Sequence, residues 1–168
     1  MKRPIDYVNV FQGKGKIDLP KPEGIAATWL FLKAQVGNTH PLAAYPFGKM
    51  SAGAYTGGYP TGYGNLCPSS HGECPTFDAK VRGFAHIHQT GTGAIGYYYN
   101  YALVSPGYGD PCPMEDELSE ESAEPGYYQA VLKNSGISAE MTVSSAVSIH
   151  RYKIPGGGRL QIDMANFP

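Results

Sequence analysis

Residues 80–105 read KVRGFAHIHQTGTGAIGYYYNYALVS, and this stretch decides the fold. Gly83-Phe84-Ala85-His86-Ile87-His88 has the makings of a strand. Residues 89–96 form a Gly/Thr loop, and Tyr97 to Val104 is a second strand dense in tyrosine. On a strand neighbouring side chains point to opposite faces. Phe84, His86 and His88 are therefore expected on one face, with Ala85 and Ile87 on the other. Two imidazoles at the mouth of a glycine-rich loop make a hydrogen-bonding rim, since each neutral ring offers one donor and one acceptor. Such a rim suits a polyhydroxylated ligand. A plainer reading stands beside it, in which both histidines are half-exposed polar positions near a strand end.

Gly91-Thr92-Gly93-Ala94-Ile95-Gly96 matches the spacing of a dinucleotide-binding loop. That loop works only where a helix follows and its N-terminus receives the pyrophosphate. Here Tyr97-Tyr98-Tyr99-Asn100-Tyr101 follows, which is strand-prone, so nucleotide binding is not expected.

The 168 residues suffice for one domain with a sizeable core. Only 16% are charged, against 22 glycines, 14 prolines and 13 tyrosines, a balance that favours turns and strands over helices. A net charge of −1 provides no strong field to recruit nucleic acid or an anionic membrane. No apolar run approaches the roughly 20 residues of a spanning helix. Met1-Lys2-Arg3 is followed by Pro4-Ile5-Asp6 rather than the apolar core of a signal peptide. Cys67, Cys74 and Cys112 leave three readings open: a short Cys67–Cys74 disulfide, a zinc site with His71, or plain loop thiols.

Along the chain, Asp6 to Phe11 alternates as a short strand. Residues 12–24 are a loop, and Ile25 to Val36, with Trp29, leans to strand. Residues 37–50 are a loop in which Pro41, Pro46 and Gly48 exclude a helix. Ser51 to Pro75 shows no periodicity and is expected to be a long functional loop. Its Tyr55, Tyr59 and Tyr63 either stack on sugar rings or close over the core. Pro106 to Pro113 is expected as a turn, and the acidic run Glu115 to Glu124 as a solvated loop. Pro125-Gly126 opens a strand from Tyr127 to Leu132, and residues 133–136 turn. Ile137, Ala139, Met141 and Val143 then alternate with polar residues in a half-buried strand. Val147 to Ile154 is a further strand, residues 155–158 turn, and Leu160, Ile162 and Met164 mark the last. Short strands at turn-punctuated spacing indicate an all-β, antiparallel β-sandwich with long Gly/Tyr/Pro-rich loops.

Five stretches also stand in a telling order: Tyr7-Val8-Asn9-Val10-Phe11; Gly37-Asn38-Thr39-His40-Pro41 with Pro46-Phe47-Gly48-Lys49-Met50; Gly83 through Gly93; Glu120 through Tyr128; and His150-Arg151-Tyr152. Together they resemble the N-terminal β-sandwich domain of glycoside hydrolase family 92, the exo-acting α-mannosidases. Members commonly carry aspartates after the Gly-Thr-Gly; here Ala94 to Asn100 has no carboxylate, which marks a divergent branch. The resemblance implies a galactose-mutarotase-like supersandwich, incomplete in residues 1–168. It implies a fragment of a longer protein or one product of a split gene, whose second, α-helical barrel domain supplies the general acid, the general base and most of a calcium site. It implies a mannose-containing glycan as ligand, with His86, His88, Gly91, Thr92 and Gly93 facing it. No catalytic residue and no metal ligand is expected within these residues. Secretion or a periplasmic location is implied; a native start at Met1 would instead mean the cytoplasm. The alternative is a stand-alone carbohydrate-binding sandwich using Tyr55, Tyr59, Tyr63, Tyr97 and Tyr99 as platforms. A third reading is a metal-dependent enzyme with His86 and His88 joined by His150 or His71.

Overall fold

In the computed structural model, residues 2–12, 40–56, 63, 80–86, 102–110 and 114–164 are described, with residues 88–89 and 99–100 described in backbone alone. The stretch Ile25 to Val36 expected to lean to strand, with Trp29, the three cysteines and His71, lies outside the described residues.

Eleven strands are described: β1 (Ala43–Ala44), β2 (Ser51–Tyr55), β3 (Gly83–Ala85), β4 (His88–Gln89), β5 (Tyr99–Asn100), β6 (Leu103–Gly107), β7 (Leu118–Glu124), β8 (Tyr127–Leu132), β9 (Ser138–Val143), β10 (Ser148–Lys153) and β11 (Arg159–Asp163). They form a sheet of order β1-β2-β3-β6-β11, a sheet of order β10-β9-β8-β7 and the β4-β5 pair. Every pairing is antiparallel. Ala52, Ala54, Val81 and Phe84 of the first layer share one core with Tyr128, Ala130, Leu132, Ala139 and Met141 of the second. This is the expected β-sandwich.

The second layer follows its local pattern. In β9, Ala139 and Met141 are buried while Ser138, Glu140 and Thr142 are not. In β8, Tyr128, Ala130 and Leu132 are buried on the matching face. Pro125-Gly126 joins β7 to β8 with Gly126 at φ +83, a conformation glycine adopts without a Cβ penalty.

Several sequence expectations are corrected. Asp6 to Phe11 is not a strand: Pro4–Tyr7 is a 3₁₀ turn. Asp6 holds it by accepting from the Arg3 backbone N–H at 2.8 Å, and the Asn9 side chain accepts from the Phe11 N–H at 3.0 Å, so local side-chain bonds displace the ladder. Ser51 to Tyr55 is not loop but a strand in the first layer. Its Ala52-Gly53-Ala54 has poor strand propensity, yet small residues fit where two sheets approach closely. The acidic run is not a solvated loop either; most of it is β7. An irregularity between Leu118 and Glu120 resets the phase of that strand, so Leu118, Glu121 and Ala123 face Leu132, Ala130 and Tyr128. Asp116, expected among the solvated acids, is 6% exposed. Finally, β6 runs through Pro106 instead of turning there. β3 meets β6 only at Phe84↔Val104, so the missing N–H of Pro106 interrupts no ladder on that side.

The central hairpin exists, with both arms interrupted. Phe84 pairs with Val104, His88 with Asn100 and Gln89 with Tyr99, one register throughout. At the break, His86 lies in a bend and Ala102, at the matching level of the other arm, takes φ +53. Gly83 precedes the break because a Cβ there would sit 2.6 Å from Leu103 Cγ.

Candidate functional site

Three chain segments meet at one end of the sandwich. The Ser51 N–H, at the start of β2, donates to the His86 carbonyl at 3.3 Å. The Lys49 N–H donates to the Ser145 carbonyl at 2.8 Å, joining the loop before β2 to the β9–β10 turn. β10 then starts inward from that turn. Period-two alternation puts Ser148, His150 and Tyr152 on its more buried face.

These residues make a polar array. His150 Nε2 is 2.8 Å from Ser148 Oγ, and Nδ1 is 2.8 Å from the Tyr152 hydroxyl. Tyr152 packs on Phe84 of β3, ring centroids 5.6 Å apart. The His86 ring meets His150 edge-on at 6.0 Å. Burial lowers the His86 pKa. Burial, with the neighbouring His86 adding to it, lowers that of His150 to about 4. Burial also pushes the Tyr152 phenol upward. Both imidazoles are therefore neutral near pH 7. Both nitrogens of His150 are engaged within β10, which locks its ring. Among the described residues no group hydrogen-bonds the half-buried His86 ring.

Of the residues expected to face a ligand, His86 is therefore placed at this end. His88 is described only in backbone, paired with Asn100. Gly91, Thr92 and Gly93 lie outside the described residues, as do Tyr59 and Tyr97, and so does the side chain of Tyr99. Tyr55 and Tyr63 are 5% and 6% exposed, so the reading that makes them sugar platforms gives way to the one in which they close over the core. Tyr63 stacks on His40 at 4.6 Å and donates its hydroxyl to Glu121. The third reading fares no better at His150, whose two nitrogens Ser148 and Tyr152 occupy. Among the described residues no three His, Cys, Asp or Glu side chains are grouped to hold a metal ion.

Phe47 lies in the Pro46 to Met50 motif that carries the family resemblance, but sequence reasoning gave it no ligand role. It is fully exposed at 107%, and it takes φ +57. Phe47 and Ala102 are the non-glycine residues with positive φ among the described residues, and both adjoin the His86 end. Strained backbone of this kind collects at ligand clamps and active sites. No propensity or periodicity signals it, because the loop dictates the dihedral. The array on β10 was more legible, since His150 and Tyr152 stand two apart on a strand.

A statistical model of the glycosyl hydrolase family 92 N-terminal domain matches residues 7–167. An uncharacterized secreted glycosidase of Arthroderma benhamiae is 29% identical over 133 residues, 73% of this chain and 16% of that protein. The family GH92 α-mannosidase of Bacteroides thetaiotaomicron superposes with a TM-score of 0.67 at 23% identity, over 98% of this chain and 20% of that one. Its complex with mannoimidazole gives a TM-score of 0.64 at 24% identity, over 95% and 19%. At these identities the structural likeness speaks for the fold. The chain spans about a fifth or less of the length of these relatives.

Proposed function

The chain belongs to glycoside hydrolase family 92, as its N-terminal domain, and from that membership we propose that it forms the β-sandwich wall of a sugar pocket in a secreted or periplasmic α-mannosidase-like hydrolase. The observation that carries this reading is the sandwich end itself. A neutral His86, with no partner among the described residues, stands there against a locked His150, and two non-glycine residues of positive φ lie in the loop before β2 and in the hairpin arm facing His86. A neutral imidazole both donates to and accepts from sugar hydroxyls. The family GH92 relative in complex with mannoimidazole supports a mannose-type ligand. The relative described as a secreted glycosidase supports the location.

Bond cleavage is assigned to residues outside those described. An inverting glycosidase needs two carboxyl groups roughly 6.5–9.5 Å apart with a water between them. Here Asp116 is held by the turn at 134–135, Glu121 by two phenols, and Glu140 by Arg151 and Tyr127. Among the described residues no three His, Cys, Asp or Glu side chains are grouped to begin the cage of six to eight oxygens that calcium prefers. The calcium of the proposed hydrolase is assigned to ligands outside the described residues, and the helical domain against which the wall would pack likewise lies elsewhere.

Titration of the isotope-labelled chain with methyl α-D-mannoside tests the wall. Shifts at His86, Phe47 and the β9–β10 turn are expected, and a spectrum that stays still rejects the reading. Hydrolysis of an aryl α-mannoside by the purified chain would overturn the assignment of the acid and base to other residues.

A further inference from the structure

We propose that Phe47 is the aromatic platform on which a sugar ring stacks at this end of the sandwich, an inference that rests on reading that end as sugar-facing. No packing within this chain accounts for the residue. Its ring is 107% exposed, so it packs on nothing. Its φ of +57 is an outlier for a bulky side chain. Glycine would relax the backbone there, and a polar residue would suit the water around the tip. The loop nevertheless fixes the backbone from which the ring projects. The Gly48 N–H donates to the Tyr45 carbonyl at 2.8 Å, and the Lys49 N–H to the Ser145 carbonyl at 2.8 Å. A Cβ on Gly48 would lie 3.0 Å from the Tyr45 oxygen and 3.3 Å from Ser145 Cα, so this turn is fitted onto the β9–β10 loop.

The surroundings select the ligand. Lys49 and Ser145 flank the turn, both exposed, and His86 lies beyond Ser51, to whose N–H its carbonyl is bonded. An apolar ring face bordered by hydrogen-bonding groups matches the two-sided chemistry of a pyranose, C–H surface on one side and hydroxyls around it. Tyr45 and Val147, 51% and 55% exposed on this loop and on the β9–β10 turn, add apolar surface near the ring. A contiguous patch of several hundred Å² would suit a protein partner instead, and the test below separates the two occupants. The buried Tyr55 and Tyr63 leave the platform role open, and Phe47 fills it from a neighbouring loop.

The test compares the wild-type chain with Phe47→Gly and Phe47→Tyr, using methyl α-D-mannoside as the probe. Affinity is read by NMR titration, and ring contact by saturation transfer from aromatic protons to the sugar. Phe47→Gly should weaken binding about three- to tenfold and remove the saturation transfer. It should not lower the melting temperature, while Phe47→Tyr retains both signals. Wild-type binding that survives unchanged in Phe47→Gly overturns the platform alone. A wild-type chain that binds no sugar overturns the sugar-facing reading and the platform with it. Self-association that Phe47→Gly abolishes while sugar binding persists would make the ring a protein contact, and also overturns it.

Discussion

The Tyr63 hydroxyl donates to both carboxylate oxygens of Glu121, at 2.7 Å each, across 58 positions of chain. Tyr128, fully buried in β8, donates to the same carboxylate at 2.8 Å. Burial, reinforced by the Glu121 charge, pushes both phenols upward, so both stay protonated donors. One carboxylate thus ties residue 63, far away in sequence, to the second sheet.

Hydrogen bonds to a charged acceptor contribute about 1.5–3 kcal/mol each. Tyr63→Phe should therefore destabilise the chain by about 1–2 kcal/mol. Glu121→Gln, which weakens both bonds, should cost more. Urea unfolding of the two single variants and the double variant measures the coupling. Additive costs would mean that the contact contributes nothing of its own.

Asp116 is the pin of the β8–β9 turn. It accepts the backbone N–H groups of Glu117, Asn134 and Ser135 at 2.7, 2.9 and 2.9 Å, and the Asn134 side chain at 2.8 Å. Burial pushes its carboxyl up, but these donors outweigh it and hold the pKa below its usual value. The stabilisation is present above the unfolded value near pH 3.8 and is lost as pH falls through the lower folded value. Asp116→Asn, which presents one oxygen and an NH₂ to four donors, should cost about 2–4 kcal/mol in thermal or urea unfolding at pH 7. A loss under about 0.5 kcal/mol would contradict the pin.

His150 sets a second pH dependence at milder acidity. Unfolded, an imidazole titrates near 6.5; folded, this one titrates at about 4. Between these values the unfolded chain binds the extra proton. Stability is therefore full above about pH 6.5 and declines as pH falls toward 4. The ring faces His86, Tyr152 and Ser148, with no carboxylate bonded to it among the described residues. His150→Gln should lower stability at pH 7 and flatten the slope between pH 6.5 and 4. An unchanged slope would assign the acid sensitivity to other groups.

Strain at residue 47 has a stability consequence separate from any ligand. A non-glycine residue in the left-handed region is disfavoured by about 1–2 kcal/mol, and the exposed ring returns no packing. Phe47→Gly should raise stability by about 0.5–1 kcal/mol, since the greater freedom of unfolded glycine offsets part of the relief. A lowered melting temperature would mean that the ring packs against the fold after all.

Legibility in the sequence followed the range of the physics. Tyr128, Ala130 and Leu132, and then Ile137, Ala139 and Met141, alternate with polar neighbours, so β8, β9 and their turn could be read residue by residue. The order of short strands and turns settled the antiparallel sandwich, and the spaced motifs the family. Period-two alternation is local, and it survives folding wherever one face is buried and the other is wet. β2 was hidden, because its alanines and glycine matter only once a second sheet lies against them. β7 was hidden because a one-residue irregularity carries Glu121 inward against the charge pattern.

The site divides in the same way. The amino-acid order alone determined that His86 belongs to the central hairpin and that His150 and Tyr152 share a face of one strand. Only the tertiary structure decided that these strands lie in opposing sheets, so that the two imidazoles meet, and that Phe47 projects from the loop beside them in a left-handed turn. Those outcomes depend on hydrogen bonds such as Lys49 to Ser145 and on packing between residues scores of positions apart, which no local propensity encodes.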